Sequence, residues 1–161
     1  MSSKPEMPFR IGVLSDTHGL LRPEVLPALA GVSHILHAGD IGSPQILDDL
    51  RSIAPVTAIR GNTDTHGPCA LLPATEMIEL AGRFFYLVHD IAQLDINASA
   101  AGVDYVIFGH SHKPSIEERK GVLYLNPGSC GPRRFNLPIT LALLEIDAER
   151  ITHRLIDLTH T

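Results

Sequence analysis

His110 and His112 stand one residue apart, just past a glycine that closes the apolar run over residues 103–108. Two imidazoles so spaced at a strand end converge on the same small volume, and neutral imidazole ligates most first-row divalent ions. Alone, the pair would better suit a solvated turn, so its partners decide. Asp16 and His18 follow an apolar run over 9–15, Asp40 follows 32–38, Asn62 follows 55–60, and His89 follows 83–88. Carboxylates, imidazoles and one amide oxygen form a mixed nitrogen and oxygen shell suited to Mn, Fe, Zn or Ni rather than Ca. Seven such side chains are too many for one ion and about right for two. Paired ions roughly 3.5–4 Å apart can clamp the attacking and leaving oxygens of a phosphoryl group. A carboxylate normally bridges them, its charge offsetting their repulsion.

The elements that must carry these residues alternate in the first 62 residues as strand, helix, strand, helix, strand. Strands are expected over 9–15, 32–38 and 55–60, and helices over 22–30 and 45–53. Pro23 suits the first turn of the first helix, while Pro27 should kink or shorten it. Ser43 and Pro44 read as an N-cap and first helical position for the second. Such alternation implies parallel strands with right-handed crossovers, and ligands in such sheets bind beyond the carboxyl ends of the strands. The second half is richer in strands, expected over 74–80, 83–88, 103–108, 115–119, 122–125, 139–146 and 151–158, with one helix over 93–101. Residues 126–129, Asn-Pro-Gly-Ser, compose a turn. The expected fold is α/β: two sheets face to face with helices outside, four layers in all. The polar residues 1–8 are expected to be a disordered leader and 9–161 a single domain.

The totals set bounds. The 161 residues suffice for one full core, and 44% hydrophobic against 19% charged argues against disorder. A net charge of −5 offers no basic footprint, so neither a nucleic-acid duplex nor a membrane is expected as partner. Cys69 and Cys130 make no disulfide framework, which suits a reducing compartment, and no run approaches the roughly 18 apolar residues of a membrane span. A cytoplasmic location is expected. Apolar segments of the second half could pair copies into a homo-oligomer.

Taken in order, Asp-x-His, Gly-Asp, Gly-Asn, a lone His after a strand, Gly-His-x-His and the Asn-Pro-Gly-Ser turn resemble the calcineurin-like metallophosphoesterases. The likeness is strongest to their small bacterial and archaeal phosphodiesterases. It extends from about Phe9 to Leu158. The resemblance implies that Asp16, His18 and His112 bind one ion, that Asn62, His89 and His110 bind a second, and that Asp40 bridges them. It implies a hydroxide held between the ions as nucleophile, two divalent ions with Mn first and Ni, Fe or Zn as alternatives, and a small phosphodiester as substrate. Phosphomonoester hydrolysis at the same site, or a non-catalytic scaffold role, are the alternatives.

Two positions depart from the family pattern. Larger members carry a histidine directly after Gly-Asn, thought to protonate the leaving group, where this chain has Thr63. His66 is the nearby candidate acid. Asp90 stands where the family usually has glycine after the lone histidine. It could orient His89, narrow the substrate mouth or face solvent. Arg133 is a candidate for the substrate phosphate together with Asn62, with Arg60 and Arg134 as weaker guanidinium candidates. His37 reads as a hydrogen-bonded structural histidine, and His34, His153 and His160 receive no role.

Overall fold

The computed structural model describes residues 7–148 and 150–159. The expected leader falls outside the described residues except for Met7 and Pro8, and His160 lies outside them too. Among the described residues, ten strands form two five-stranded sheets. The first contains β1 (Phe9–Leu14), β2 (His34–His37), β3 (Val56–Ala58), β9 (Thr140–Ile146) and β10 (Ile151–Asp157), in the order β10-β9-β1-β2-β3. The second contains β4 (Thr75–Leu80), β5 (Arg83–Val88), β6 (Tyr105–Ile107), β7 (Ser115–Arg119) and β8 (Val122–Asn126), in the order β4-β5-β6-β8-β7. Each sheet has three parallel neighbours, β1-β2-β3 along one side of the first and β5-β6-β8 in the middle of the second, with antiparallel strands completing it.

The continuous apolar runs of the central strands follow from burial on both faces. With a side-chain period of two, Ile11 and Val13 of β1 and Leu36 of β2 meet Phe85 and Leu87 of β5 and Tyr105 and Ile107 of β6 between the sheets. Leu14 and Ile35 point the other way, into a cluster with Val25, Leu29, Ile46, Leu47 and Leu50. Gly12 belongs to that face, where a Cβ would run into the Leu29 side chain. Tyr86, Val88 and Val106 turn outward from the second sheet against Ala98 and Val103.

The helices depart from expectation in length. The first is a single turn, α1 (Val25–Ala28), since Pro27 supplies no backbone donor and Gly31 reverses the chain at φ 82°. The second, α2 (Pro44–Arg51), starts as expected, with Ser43 Oγ accepting from the Gln45 N–H at 3.3 Å. The helix expected over 93–101 is not formed. A 3-10 turn spans Ile91–Gln93, Leu94 leaves the helical region at ψ 118°, and Asn97 Oδ1 caps a separate turn by accepting from the Ala100 N–H at 3.1 Å. Among the described residues, no helix is long and apolar enough to cross a membrane.

Candidate metal centre

The parallel strands of both sheets present their carboxyl ends to one place. Asp16 leaves β1, Asp40 leaves β2, Asn62 follows β3, His89 follows β5, and His110 and His112 follow β6. Two groups result, each with its candidate ligand atoms within 4.8 Å of one another: Asp16, His18 and His112, and Asp40, His89 and His110. The two carboxylates tie the groups together. His18 Nε2 lies 3.5 Å from Asp16 Oδ1 and 3.6 Å from Asp40 Oδ2. His89 Nε2 lies 3.1 Å from Asp40 Oδ2 and 3.8 Å from Asp16 Oδ1, and His112 Nε2 is 3.5 Å from Asp16 Oδ1. His18 and His112 stack with centroids 5.3 Å apart, while His89 and His110 meet edge to face at the same separation.

The backbone is bent into an unfavourable region to achieve this. Asp16, His18, Asp40, His110 and His112 have φ of 58°, 46°, 57°, 71° and 63°. Such left-handed residues cost roughly 1–3 kcal/mol each and persist where the surroundings over-determine them. Close backbone approach does the rest. A Cβ on Gly109 would sit 2.6 Å from Asp16 Oδ2, and one on Gly61 would lie 2.7 Å from the Asp40 carboxyl carbon.

Hydrogen bonds fix which atoms remain free. Asp16 Oδ2 accepts from Ser15 Oγ at 2.8 Å and from the His110 N–H at 3.0 Å, and Asp40 Oδ1 accepts from the Thr63 N–H at 2.9 Å. His89 Nδ1 donates to the Ala38 carbonyl at 2.7 Å, which leaves Nε2 with a lone pair. His110 Nδ1 faces Asn62 Oδ1 at 3.2 Å, and since that oxygen only accepts, the proton is on Nδ1. Among the described residues, Asp16 Oδ1, His18 Nε2, His89 Nε2 and His112 Nδ1 are buried and have no hydrogen-bond partner. Four orphaned atoms in one small volume are costly unless something binds them, and acceptor-rich oxygens facing imidazole lone pairs suit a divalent cation.

The electrostatics agree. Burial would raise the Asp40 carboxyl, but His89 and the Thr63 N–H hold it well below the ordinary range. Asp16 is likewise lowered: burial opposes, and His18, His89, Ser15 and His112 prevail. His89 loses basicity to burial and regains more from Asp40 and Asp16, so it ends raised. His112 is lowered, chiefly by burial, with Arg134 and His18 adding to the effect against Asp16.

Other residues brace the loops. Asn126 Nδ2 donates to the Gly109 carbonyl and to Ser111 Oγ, both at 3.1 Å, and Ser129 Oγ donates to the Asp16 carbonyl at 2.9 Å. The Asn-Pro-Gly-Ser turn thus ties the β1 and β6 loops together. Asp64, buried, accepts from the N–H groups of Gly61, Ile41 and Gly42 at 2.8, 3.1 and 3.2 Å. This role escapes a reading aimed at ligands, although a carboxylate three residues after Gly61 is an ordinary turn-closing signal. His37 is fully buried between Thr17 Oγ1 at 3.0 Å and the Gly39 N–H at 3.1 Å, and burial brings its pKa down to about 4.

The remaining candidates make contacts outside the two groups. His66 is exposed, its Nδ1 3.3 Å from Thr65 Oγ1, and neither group includes it. Arg60 donates to the Leu72 carbonyl at 2.6 Å, and Arg133 Nε donates to the Leu137 carbonyl at 3.1 Å. Arg134, next along, is the guanidinium whose charge reaches His112. The Asp90 carboxylate faces His110, Oδ2 lying 3.9 Å from Nε2.

A two-sheet sandwich with aspartate, asparagine and histidine at the converging strand ends defines the metallophosphoesterase class. Residues 9–149 match the family model of the calcineurin-like phosphoesterase superfamily domain, and the chain belongs to that family. A probable metallophosphoesterase of Methanothermobacter thermautotrophicus is 36% identical over 158 residues, covering 91% of both proteins. The solved structure of an archaeal phosphodiesterase superposes with TM-score 0.77 at 27% identity, over 93% of this chain and 100% of that one. Vps29 of Entamoeba histolytica, solved in complex with zinc, gives TM-score 0.71 at 26% identity, over 92% and 99%. The chain is a phosphoric ester hydrolase.

Proposed function

We propose that this hydrolase is a phosphodiesterase that works with two divalent ions on small or activated phosphodiesters. The observation that carries the proposal is the pair of adjacent ligand groups, one built on Asp16 and the other on Asp40, with four buried ligand atoms left without hydrogen-bond partners among the described residues. In this reading Asp16, His18 and His112 hold one ion, Asn62, His89 and His110 the other, and Asp40 both. Mn2+ leads the candidates, with Ni2+, Fe2+ and Zn2+ also fitting the donor set. When bound, the ions supply Lewis-acid stabilisation of the phosphoryl oxygens and lower the pKa of the attacking water.

The chain's own residues position that chemistry. Ala38 and Asn62 fix the tautomers of His89 and His110, and Ser15 and Thr63 aim the two carboxylates. Arg133 and Arg134, just after the Asn-Pro-Gly-Ser turn, are the candidate guanidiniums for a phosphate oxygen. Thr63 brings a backbone donor to Asp40 in place of a histidine acid. His66, on the exposed loop beyond it, remains the candidate leaving-group acid. Without an efficient acid, aryl or strained diesters should react far faster than alkyl ones, because such a group contributes about 10²–10⁴-fold.

Turnover of a bis-aryl phosphate compared with the matching aryl monophosphate, after Mn2+ reconstitution, tests the substrate class. A higher kcat/KM for the diester is expected; a strong monoester preference would make the enzyme a phosphomonoesterase.

A further inference from the structure

Phe135 is 91% exposed, and its backbone stands in the left-handed region at φ 53°. It holds the second position of a turn over residues 134–137, closed by the Leu137 N–H donating to the Arg134 carbonyl at 3.2 Å. Arg133 Nε braces the turn by donating to the Leu137 carbonyl at 3.1 Å. Glycine or asparagine suits a left-handed turn position, and a bulky side chain there is an outlier. Phenylalanine at this place serves neither the backbone nor the core.

The turn belongs to the loop packed against the Asp16 backbone. Ser129 Oγ donates to the Asp16 carbonyl at 2.9 Å, and a Cβ on Gly131 would lie 2.6 Å from that same oxygen. Arg22 Nε donates to the Gly131 carbonyl at 2.9 Å, which joins this loop to the one that follows β1. Phe135 is four residues beyond Gly131, at most about 14 Å of extended chain. The charge of its neighbour Arg134 reaches His112. Leu20, two residues after His18, is exposed as well, its N–H donating to the Thr17 carbonyl at 2.9 Å. Two large apolar side chains therefore stand in water on the joined loops that border the Asp16, His18 and His112 group.

Resting on the phosphodiesterase reading above, we propose that Phe135 determines specificity, as a stacking platform for a planar aromatic ester group of the substrate. An aryl ring and a nucleobase both meet this need, because each offers a π face to the phenyl ring. Arg134 beside it offers a guanidinium to the phosphate oxygens of the same diester. An alkyl ester group finds no such partner and leaves the ring in water.

The test uses diesters that share one p-nitrophenyl leaving group and carry methyl, p-nitrophenyl or 5′-thymidine as the other ester. Turnover by the full, Mn2+-reconstituted chain is compared among wild type, Phe135→Ala and Phe135→Tyr. Each substrate is compared with itself across the variants, so intrinsic reactivity cancels. Phe135→Ala should lose about fivefold or more in kcat/KM for an aromatic ester relative to the methyl ester, through KM, and tyrosine should restore it. A loss confined to the p-nitrophenyl ester identifies an aryl group as the natural partner; one confined to the thymidine ester identifies a nucleobase. Calorimetry with phenylphosphonate and methylphosphonate, which have no ester bond to cleave, reads binding apart from turnover, and alanine should weaken the phenyl compound more. The melting temperature should stay within a few degrees, since the ring is exposed. If Phe135→Ala changes all the diesters equally, or none, the ring is an ordinary surface residue and the proposal falls. If wild type hydrolyses none of them, the phosphodiesterase reading fails first and takes this one with it.

Discussion

His89 is held from both sides: its Nδ1 donates to the Ala38 carbonyl at 2.7 Å, and its Nε2 lies 3.1 Å from Asp40 Oδ2. In the metal-free protein the Asp40 and Asp16 carboxylates outweigh burial and raise its pKa above 6.5. A protonated Nε2 cannot ligate, so metal must displace that proton. Metal affinity should accordingly rise as pH increases through the raised pKa and level off above it. Calorimetry at about pH 6.5 in buffers of different ionisation enthalpy should show proton release on binding. Affinity independent of pH with no proton released would contradict the assignment.

His37 titrates in the opposite sense. Its folded pKa is about 4 against 6.5 for the free side chain, so between those values the unfolded chain takes up a proton that the folded one refuses. Metal-free protein should lose stability as pH falls from 6.5 to 4, by about 3 kcal/mol from this group, with no further loss from it below 4. Urea unfolding across that range, compared with a His37→Gln variant that carries no titrating ring, isolates the contribution. An unchanged slope in the variant would refute it.

Asp64 is buried under three backbone donors. Removing a charged acceptor leaves those N–H groups without their partner, so Asp64→Ala should cost about 3 kcal/mol or more in urea unfolding. A loss below about 1 kcal/mol would mean that other groups hold the Gly61 and Ile41 turns.

Asn126 reaches the site through Gly109 and Ser111. Asn126→Ala should leave every proposed ligand in place and still weaken metal binding, by about 10–100-fold, as loss of a supporting contact does. Metal titration checks this, and unchanged affinity would make Asn126 a spectator.

How far these features can be read from the chain depends on whether their cause is local. Asp16, Asp40, His89 and His110 stand at ends of apolar runs, and period-two burial on both faces makes those ends visible. The left-handed φ of Asp16, His18, Asp40, His110 and His112 leaves no such mark, because packing between loops imposes it. The segment over 93–101 has helical composition, yet Leu94 turns extended and Asn97 caps a new turn, so side-chain competition for backbone donors breaks the helix. Likewise, only tertiary geometry turns Asp90 toward His110 while Arg133 spends its Nε on Leu137.

The two-ion claim is tested most directly by counting metal and turnover together in wild type and Asp40→Asn. Asp40 Oδ2 lies within reach of both His18 and His89, so loss of its charge should loosen both ions at once. After Mn2+ reconstitution and removal of excess metal, wild type should retain two equivalents and hydrolyse the bis-aryl phosphate. Asp40→Asn should retain fewer than two and lose nearly all turnover. An Asp40→Asn protein with two ions and wild-type activity, or a reconstituted wild type with neither metal nor turnover, would contradict the account.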